Sequence, residues 1–168
     1  MARVRGPFDP EPISVSFWLV PVASIIAGSM MTLVPFIAAF PILPPFGLMI
    51  LVAWRLSRPD ALPIWSPLAF GLFDDMISGQ PLGSAMLLWT AVMLVVDLLD
   101  QRFIARDFWQ DWLVASGAIG GCLLLGRFIA VPLAAPVDTL LLLQILLSLM
   151  LYPLATQLCA WLDTKRAI

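Results

Sequence analysis

Six apolar runs follow one another along this sequence, and they constrain its fold more than any other feature. A helix needs about 20 apolar residues, within a range of about 17–25, to cross the hydrocarbon core of a bilayer. The chain is 61% hydrophobic and 12% charged, whereas soluble domains carry about 25% charged residues. The runs therefore predict an all-α integral membrane protein, a bundle of six transmembrane helices with approximate ranges 14–34, 36–54, 62–77, 82–99, 112–131 and 138–162.

The positions of the basic residues predict the orientation of this bundle. The connections between the runs are short, which favours antiparallel neighbours. With six alternating helices, eight basic residues fall on one side: Arg3, Arg5, Arg55, Arg58, Arg102, Arg106, Lys165 and Arg166. Because Lys and Arg are enriched in cytoplasmic loops, we expect a multi-pass protein of the cytoplasmic membrane with both termini inside. It would form one transmembrane domain over residues 1–168, with cytoplasmic tails at 1–13 and 163–168.

Two segments depart from this regular pattern. The second run carries Pro41, Pro44 and Pro45 in its first half, which predicts a kink or a broken start rather than a regular helix. The segment 100–111 mixes aromatic residues with arginines and aspartates. It is either an interfacial loop that lies in the headgroup layer or a docking surface for a cytoplasmic partner, and the sequence leaves both interpretations open.

The segment 71–83, GLFDDMISGQPLG, is the strongest candidate for a functional element. Two adjacent aspartates end an apolar run, and a glycine- and proline-containing turn follows before the next run begins. This pattern predicts a helical hairpin that reverses at the extracytoplasmic face of the membrane. Paired carboxylates can act as acids and bases or bind cations, or they can simply end the helix and meet water. The candidate structural or partner-site residues here are Gly71, Asp74, Asp75, Gly79 and Gly83.

Arg127 is the one basic residue that falls near the extracytoplasmic side. It lies about 15 residues into the fifth run, roughly 22 Å from the cytoplasmic interface. Asp74 lies about 12 residues into the third run, roughly 18 Å from the same interface. The matching depths lead to the hypothesis that Arg127 pairs with Asp74 or Asp75 and joins the third helix to the fifth. The alternative is that Arg127 extends to the outer headgroups by itself.

Small residues at helical spacing offer close-packing faces. Gly117 and Gly121 form a GxxxG pair in the fifth run, and the first run contains the pairs Ala23–Ala27 and Ser24–Gly28. Such faces let helices approach closely in lipid, within the bundle or with a partner. Two further acids receive structural assignments: Asp138 caps the sixth helix, and Asp97 is solvated or pairs with Arg102 or Arg106.

The sequence gives little support for catalysis. It contains no histidine, which removes the commonest general base and metal ligand. Cys122 and Cys159 lie in apolar runs without metal-ligand spacing. There is no phosphate-binding glycine loop and no basic stripe for nucleic acid. We therefore expect a protein that is not an enzyme and has no cofactor and no metal.

The hairpin resembles a motif of the rod shape-determining protein MreD family. In that motif a glycine–leucine pair precedes an aspartate, a turn glycine and a leucine–glycine pair that opens the next helix. The positions assigned to it are Gly71, Leu72, Asp74, Gly79, Leu82 and Gly83. The chain length, the six runs and the proline-rich second run are also similar to the family. Asp75, a second acid beside the first, receives no family role.

The resemblance implies a function and a set of partners. Proteins of the MreD family are non-catalytic components of the bacterial cell-elongation machinery in the inner membrane. The expected partners are MreC through its transmembrane helix, then MreB, RodA and its transpeptidase partner, together with membrane lipid. The family fold is similar to the substrate-binding subunit of energy-coupling-factor transporters, so a small-molecule-binding transporter subunit is the alternative. A cation-conducting protein that uses Asp74 and Asp75 is a third, weaker hypothesis.

Overall fold

A computed structural model describes residues 15–33, 44–79, 81–100, 107–130 and 139–166. These residues form six α-helices and two short 3₁₀ turns, Met31–Leu33 and Pro59–Ala61, and the described part of the chain contains no strand. The predicted all-α fold is confirmed. The helices are α1 Val15–Met30, α2 Phe46–Ser57, α3 Ser66–Ser78, α4 Ser84–Asp100, α5 Phe108–Ala130 and α6 Thr139–Arg166.

The helix ends differ from the predicted ends in three places. The described α2 starts at Phe46 and not near residue 36, and residues 34–43, with Pro41, lie outside the described residues. The helix α5 starts at Phe108, so the last part of the segment 100–111 is helical rather than a loop. The helix α6 continues to Arg166, four residues into the range assigned to the C-terminal tail. Asp138, Arg102 and Arg106 lie outside the described residues.

The short helix α2 is the centre of the core. Nine of its twelve residues are buried, and it packs against α1, α5 and α6. A helix that is apolar on all sides is stable only where neighbours cover all sides. Its largest side chain, Trp54, is fully buried. The Trp54 Nε1–H donates to the Ser24 Oγ at 2.9 Å, and the Ser24 hydroxyl donates to the Pro21 carbonyl at 2.8 Å. The one polar atom of Trp54 therefore has a partner inside the bundle.

The outer surface of the bundle is apolar over large areas. Leucine, methionine, phenylalanine and tryptophan side chains on α1, α4, α5 and α6 are exposed. Two of the described helices are long and apolar enough to cross a membrane, Phe108–Ile129 and Thr139–Lys165. Only 22% and 17% of the residues in their apolar windows are buried, whereas a core helix of a soluble protein is mostly buried. Exposed apolar surface of this extent is suited to contact with lipid.

Two ion pairs bring three helix ends together at one end of the bundle. Arg55 at the end of α2 pairs with Asp97 near the end of α4 at 2.7 Å, and Arg58 pairs with Asp163 of α6 at 2.8 Å. We call this the arginine end. The described partner of Asp97 is Arg55, 42 residues away, a residue that the sequence prediction did not name, whereas the predicted partners Arg102 and Arg106 lie outside the described residues.

The opposite end carries the turn between α3 and α4, and we call it the hairpin end. Gly126 near the end of α5 faces Leu88 in the first half of α4, and Gly28 near the end of α1 faces Gly47 at the start of α2. Neighbouring helices therefore run antiparallel. This arrangement agrees with the alternation on which the predicted distribution of basic residues depends.

Candidate functional site

The hairpin between α3 and α4 reverses direction through two glycines with positive φ. Gly79 follows the last residue of α3 with φ 69° and ψ 17°, and Gly83 directly precedes α4 with φ 98°. Glycine is the residue that adopts the left-handed region without steric cost, and it commonly ends helices in this way. The predicted reversal between two helices is confirmed, while the side of the membrane on which it lies stays a prediction, and its two turn glycines are explained by backbone geometry.

Asp75 caps the N-terminus of α4 from the neighbouring helix. Its Oδ1 accepts hydrogen bonds from the Ala85 N–H at 2.8 Å and the Ser84 hydroxyl at 3.0 Å. Its Oδ2 accepts from the Gly83 N–H at 2.9 Å and the Met86 N–H at 3.2 Å. The first N–H groups of a helix lack partners within the helix, and its N-terminus carries partial positive charge. Asp75, only 1% exposed, meets both requirements and is itself fully hydrogen-bonded.

Gly71 allows α3 to approach α4 closely enough for this cap. A Cβ atom at Gly71 would lie 2.6 Å from the Met86 Cα and 2.8 Å from the Ala85 carbonyl oxygen. Residues four positions apart lie on the same face of a helix, so Gly71 and Asp75 both face the first turn of α4. Asp75, and not Asp74, therefore shares the buried face of α3 with Gly71, and the assignment of Asp74 to the family motif stays a prediction.

Asp74 points to different neighbours. Its carboxyl group is half-buried and lies near Ser29 of α1, with Cys122 of α5 also close by. The Ser29 hydroxyl is buried and, among the described residues, its oxygen makes no hydrogen bond of good geometry. Asp74 and Ser29 are therefore near each other without forming a well-aligned hydrogen bond. The two adjacent acids diverge, as the rotation of about 100° between consecutive helical residues requires.

Arg127 lies in the last turn of α5 at the hairpin end. The two ion pairs described above lie at the arginine end and involve other residues. Both oxygens of Asp75 are already occupied by donors from the start of α4. The structure thus brings Asp75, Gly71, Gly79 and Gly83 together, and the pairing of Arg127 with Asp74 or Asp75 stays a prediction.

The GxxxG pair of α5 is not used for packing inside the bundle. A Cβ atom at Gly117 or Gly121 would have no neighbour within 4 Å. Both glycines line an apolar groove of about 480 Å³ between α4 and α5, the α4–α5 groove. The first-helix residue Gly28 is different, because its Cβ position would lie 2.8 Å from the Ile50 Cδ1 and 3.2 Å from the Gly47 Cα. Gly28 therefore serves the contact between α1 and α2.

A second groove of about 670 Å³ runs between α1 and α6 with α2 at its base. We call it the α1–α6 groove. Its α1 side carries the small residues Ala23, Ser24 and Ala27, and both alanines are exposed. Its α6 side carries Leu151, Leu154, Leu158 and Leu162. None of the described residues that line it is charged. Such a surface can hold an apolar segment in lipid, and it offers no group for acid–base or nucleophilic chemistry.

The described residues contain no group of three His, Cys, Asp or Glu side chains that could hold a metal ion. Cys122 and Cys159 are free and buried in the apolar interior. The features that the described residues do contain are a tightly capped helical hairpin, two lipid-facing apolar grooves and an ion-paired end. They define the class as an all-helical protein whose apolar outer surface is suited to a membrane.

The family comparison identifies this class more closely. The family model described as rod shape-determining protein MreD matches residues 13–162, most of the chain. The chain belongs to the MreD family. No curated protein and no solved structure matches it significantly. MreD proteins are membrane proteins and structural components in shape determination, generally without enzymatic activity, and membership supports a rod-shape-determining role for this chain.

Sequence reasoning missed three structural contacts. Arg55 was treated only as a topology signal, yet it ties α2 to α4. The hydrogen bonds from the start of α4 to Asp75 could have been predicted from the sequence. Asp75 lies in the last turn of its helix, and a short turn that contains Gly79 and Pro81 brings the next helix start within reach. The contact between Gly28 and Gly47 joins residues 19 positions apart. Gly28 belongs to a small-residue pair that the sequence shows, whereas Gly47 belongs to no such pattern.

Proposed function

We propose that this chain is a non-catalytic inner-membrane component of the bacterial rod complex. It binds the transmembrane helix of MreC and links MreC to MreB filaments and to RodA with its transpeptidase partner. In this way it regulates cell shape and peptidoglycan synthesis. Membership in the MreD family supports the role in shape determination. Among the described residues, those that line both apolar grooves are uncharged, which supports binding through lateral helix contacts.

The proposed topology has six membrane spans, with the arginine end in the cytoplasm. Arg55, Arg58 and Lys165 belong to helix ends or turns on that side, which agrees with the enrichment of basic residues in cytoplasmic loops. The helices α2 and α3 have 12 and 13 residues, about 18–20 Å at 1.5 Å per residue. A bilayer core is about 30 Å thick, so the proposal requires the segments beside these two helices to complete their spans.

The observation that carries the binding part of the proposal is the α1–α6 groove. A membrane scaffold without catalytic groups acts through surfaces that hold other helices, and packing in lipid depends on small residues that allow close approach. Ala23 and Ala27 supply such a surface, since both are exposed among the described residues. The alternative of a transporter subunit stays a prediction, because residues 34–43 and 131–138, which would line its outer cavity, lie outside the described residues.

Depletion in a rod-shaped host, combined with affinity purification from native membranes, tests the proposal. We expect depleted cells to round up and MreC to co-purify with the tagged wild-type chain. A tagged unrelated six-helix membrane protein expressed at the same level is the control for non-specific capture. Cells that keep their rod shape after complete depletion, or a purified chain without MreC, would contradict the proposed function. Native mass spectrometry of the same sample would reveal a bound small molecule, the result expected for a transporter subunit.

A further inference from the structure

A pocket with polar walls lies at the arginine end, apart from the two apolar grooves. It has a volume of about 260 Å³ and lies between the end of α2, the start of α5 and the second half of α6. Its polar lining consists of Ser57, Asp111, Tyr152, Thr156 and Gln157, and we call it the polar pocket. Pockets that enclose a whole small molecule measure about 300–1,000 Å³. The polar pocket therefore suits one small polar group of a larger ligand.

The polar pocket lies at the depth of the lipid headgroups. Asp111 comes three residues after the start of α5, about 5 Å along the helix axis. Trp109 of α5 and Trp161 of α6 flank the pocket and are 68% and 57% exposed. Exposed tryptophans on membrane helices mark the boundary between hydrocarbon and water. The headgroup layer on each side of the core is about 5–8 Å thick, so we expect the pocket to open within it.

Charges of both signs surround the polar pocket. Asp111 is the charged residue among the described residues that line it. Ser57 is the last residue of α2, and the C-terminus of a helix carries partial negative charge, whereas the start of α5 carries partial positive charge. Arg58 follows Ser57 and pairs with Asp163 of α6 at 2.8 Å. A ligand that carries one positive and one negative group matches this arrangement.

The lining favours a positive group that donates hydrogen bonds. The Thr156 hydroxyl donates to the Pro153 carbonyl at 2.8 Å, so its oxygen can still accept, and the Gln157 amide offers a second acceptor oxygen. The Trp112 Nε1–H donates to the Leu149 carbonyl at 3.2 Å, and its ring is an apolar part of the wall. A primary ammonium group has three donors and no acceptor. Charge-assisted hydrogen bonds to a carboxylate are about twice as strong as neutral ones.

We propose that the polar pocket binds the headgroup of phosphatidylethanolamine, a phospholipid that joins a primary ammonium group to a phosphate. The ammonium group enters the pocket and donates to Asp111 and to the neighbouring acceptor oxygens. The phosphate lies at the mouth near Arg58, whose side chain is 58% exposed and whose five N–H donors exceed the needs of one ion pair. The acyl chains stay in the membrane. This inference goes beyond the proposed function, because it needs a membrane at the arginine end but no protein partner.

Lipid competition on the purified chain tests the site. Native mass spectrometry of the chain with equal amounts of phosphatidylethanolamine, phosphatidylcholine and phosphatidylglycerol shows which lipid stays bound. We expect at least fivefold more phosphatidylethanolamine than either competitor, because the choline nitrogen has no N–H donor and the glycerol headgroup has no cation. Asp111→Asn should abolish this preference. Asp107→Asn is the matched control and should retain it, because Asp107 is exposed just before α5 and does not line the pocket.

A second pair of variants tests the cavity without a change of charge. Ala160 is exposed and lines the polar pocket. The larger side chain of Ala160→Leu should fill the pocket and reduce bound phosphatidylethanolamine at least fivefold, whereas Ala160→Ser should bind as much as the wild type. Size-exclusion profiles and tryptophan fluorescence that match the wild type verify that the variants are folded. If Asp111→Asn does not fold, the two Ala160 variants decide the result.

Three outcomes would overturn the inference. The first is equal binding of the three lipids, or a preference for phosphatidylglycerol, by the wild-type chain. The second is an unchanged preference in folded Asp111→Asn or in Ala160→Leu, and the third is an equal loss in Asp107→Asn. Failure of the wild-type chain to bind MreC would instead reject the proposed function. It would leave the lipid preference of the purified chain unchanged, so the two failures are distinguishable.

Discussion

The two ends of the bundle each hold a largely buried carboxylate, and they satisfy it in different ways. At the hairpin end, Asp75 accepts hydrogen bonds from three backbone N–H groups and one hydroxyl group. At the arginine end, Asp97 receives both of its close contacts from the guanidinium group of Arg55, at 2.7 and 2.9 Å. The first acid is satisfied by a helix terminus close to it in sequence, and the second by a cation from a distant helix.

The difference shows what each end does for the fold. Asp75 and its donors are separated by 8 to 11 residues, so this contact stabilises one hairpin. Arg55 and Asp97 are separated by 42 residues, and the Arg55 Nη1 also donates to the Pro59 carbonyl at 2.8 Å. The arginine end therefore fixes the position of α2 relative to α4, whereas the hairpin end fixes the geometry within a pair of neighbouring helices.

The largest expected effect separates the two adjacent acids of the hairpin end. Asp75→Asn removes the negative charge, and its amide NH₂ cannot accept a hydrogen bond from the N–H groups that face it. We expect the unfolding free energy to fall by about 3 kcal/mol. Asp74→Asn, the matched control one residue earlier, should change it by less than about 1 kcal/mol, because Asp74 makes no comparable set of bonds. Unfolding in detergent micelles, followed by tryptophan fluorescence, gives both values. Equal losses in the two variants would show that the cap is not the source of stability.

The next effect tests whether the hairpin end depends on close packing as well as on charge. In Gly71→Ala the new Cβ would collide with the backbone of α4, and we expect a loss of about 2 kcal/mol from overpacking. Gly117→Ala is the control, because a Cβ atom at Gly117 would have no neighbour within 4 Å. Its unfolding free energy should rise by up to about 1 kcal/mol because alanine has the higher helix propensity. The same unfolding assay applies to the isolated chain. A Gly71→Ala variant as stable as the wild type would mean that α3 and α4 can separate freely.

The smallest effect concerns the arginine end. Arg55→Lys keeps the charge but loses the two-pronged contact with Asp97, and we expect a loss of about 1 kcal/mol. Arg58→Lys is the control, because the Arg58 side chain is 58% exposed and exposed ion pairs contribute roughly 0–1 kcal/mol. It should change the unfolding free energy by less than about 0.5 kcal/mol. If lysine replaces Arg55 without loss, only the charge matters there, and the contrast in geometry between the two ends disappears.

The sequence predicted the six helices because long apolar runs have few structural solutions in a bilayer. It could not place the start of α2, since three prolines in one run leave several possible starts. The hairpin was predictable from its turn glycines and its position between apolar runs. The choice between Asp74 and Asp75 was not, because it depends on which face of α3 meets α4. The pairing of Arg55 with Asp97 depends on helix packing, for which the single sequence carries no signal.

Capping across the turn has a consequence for how this part of the chain resides in lipid. The helix α3 alone would bring an unsatisfied carboxylate into an apolar medium, and α4 alone would bring unsatisfied amide groups. Joined, each supplies what the other lacks. The pair Ser66–Ser78 and Ser84–Asp100 is therefore the smallest unit in which the Asp75 carboxylate and the first N–H groups of α4 are both satisfied, and neither helix is an independent span.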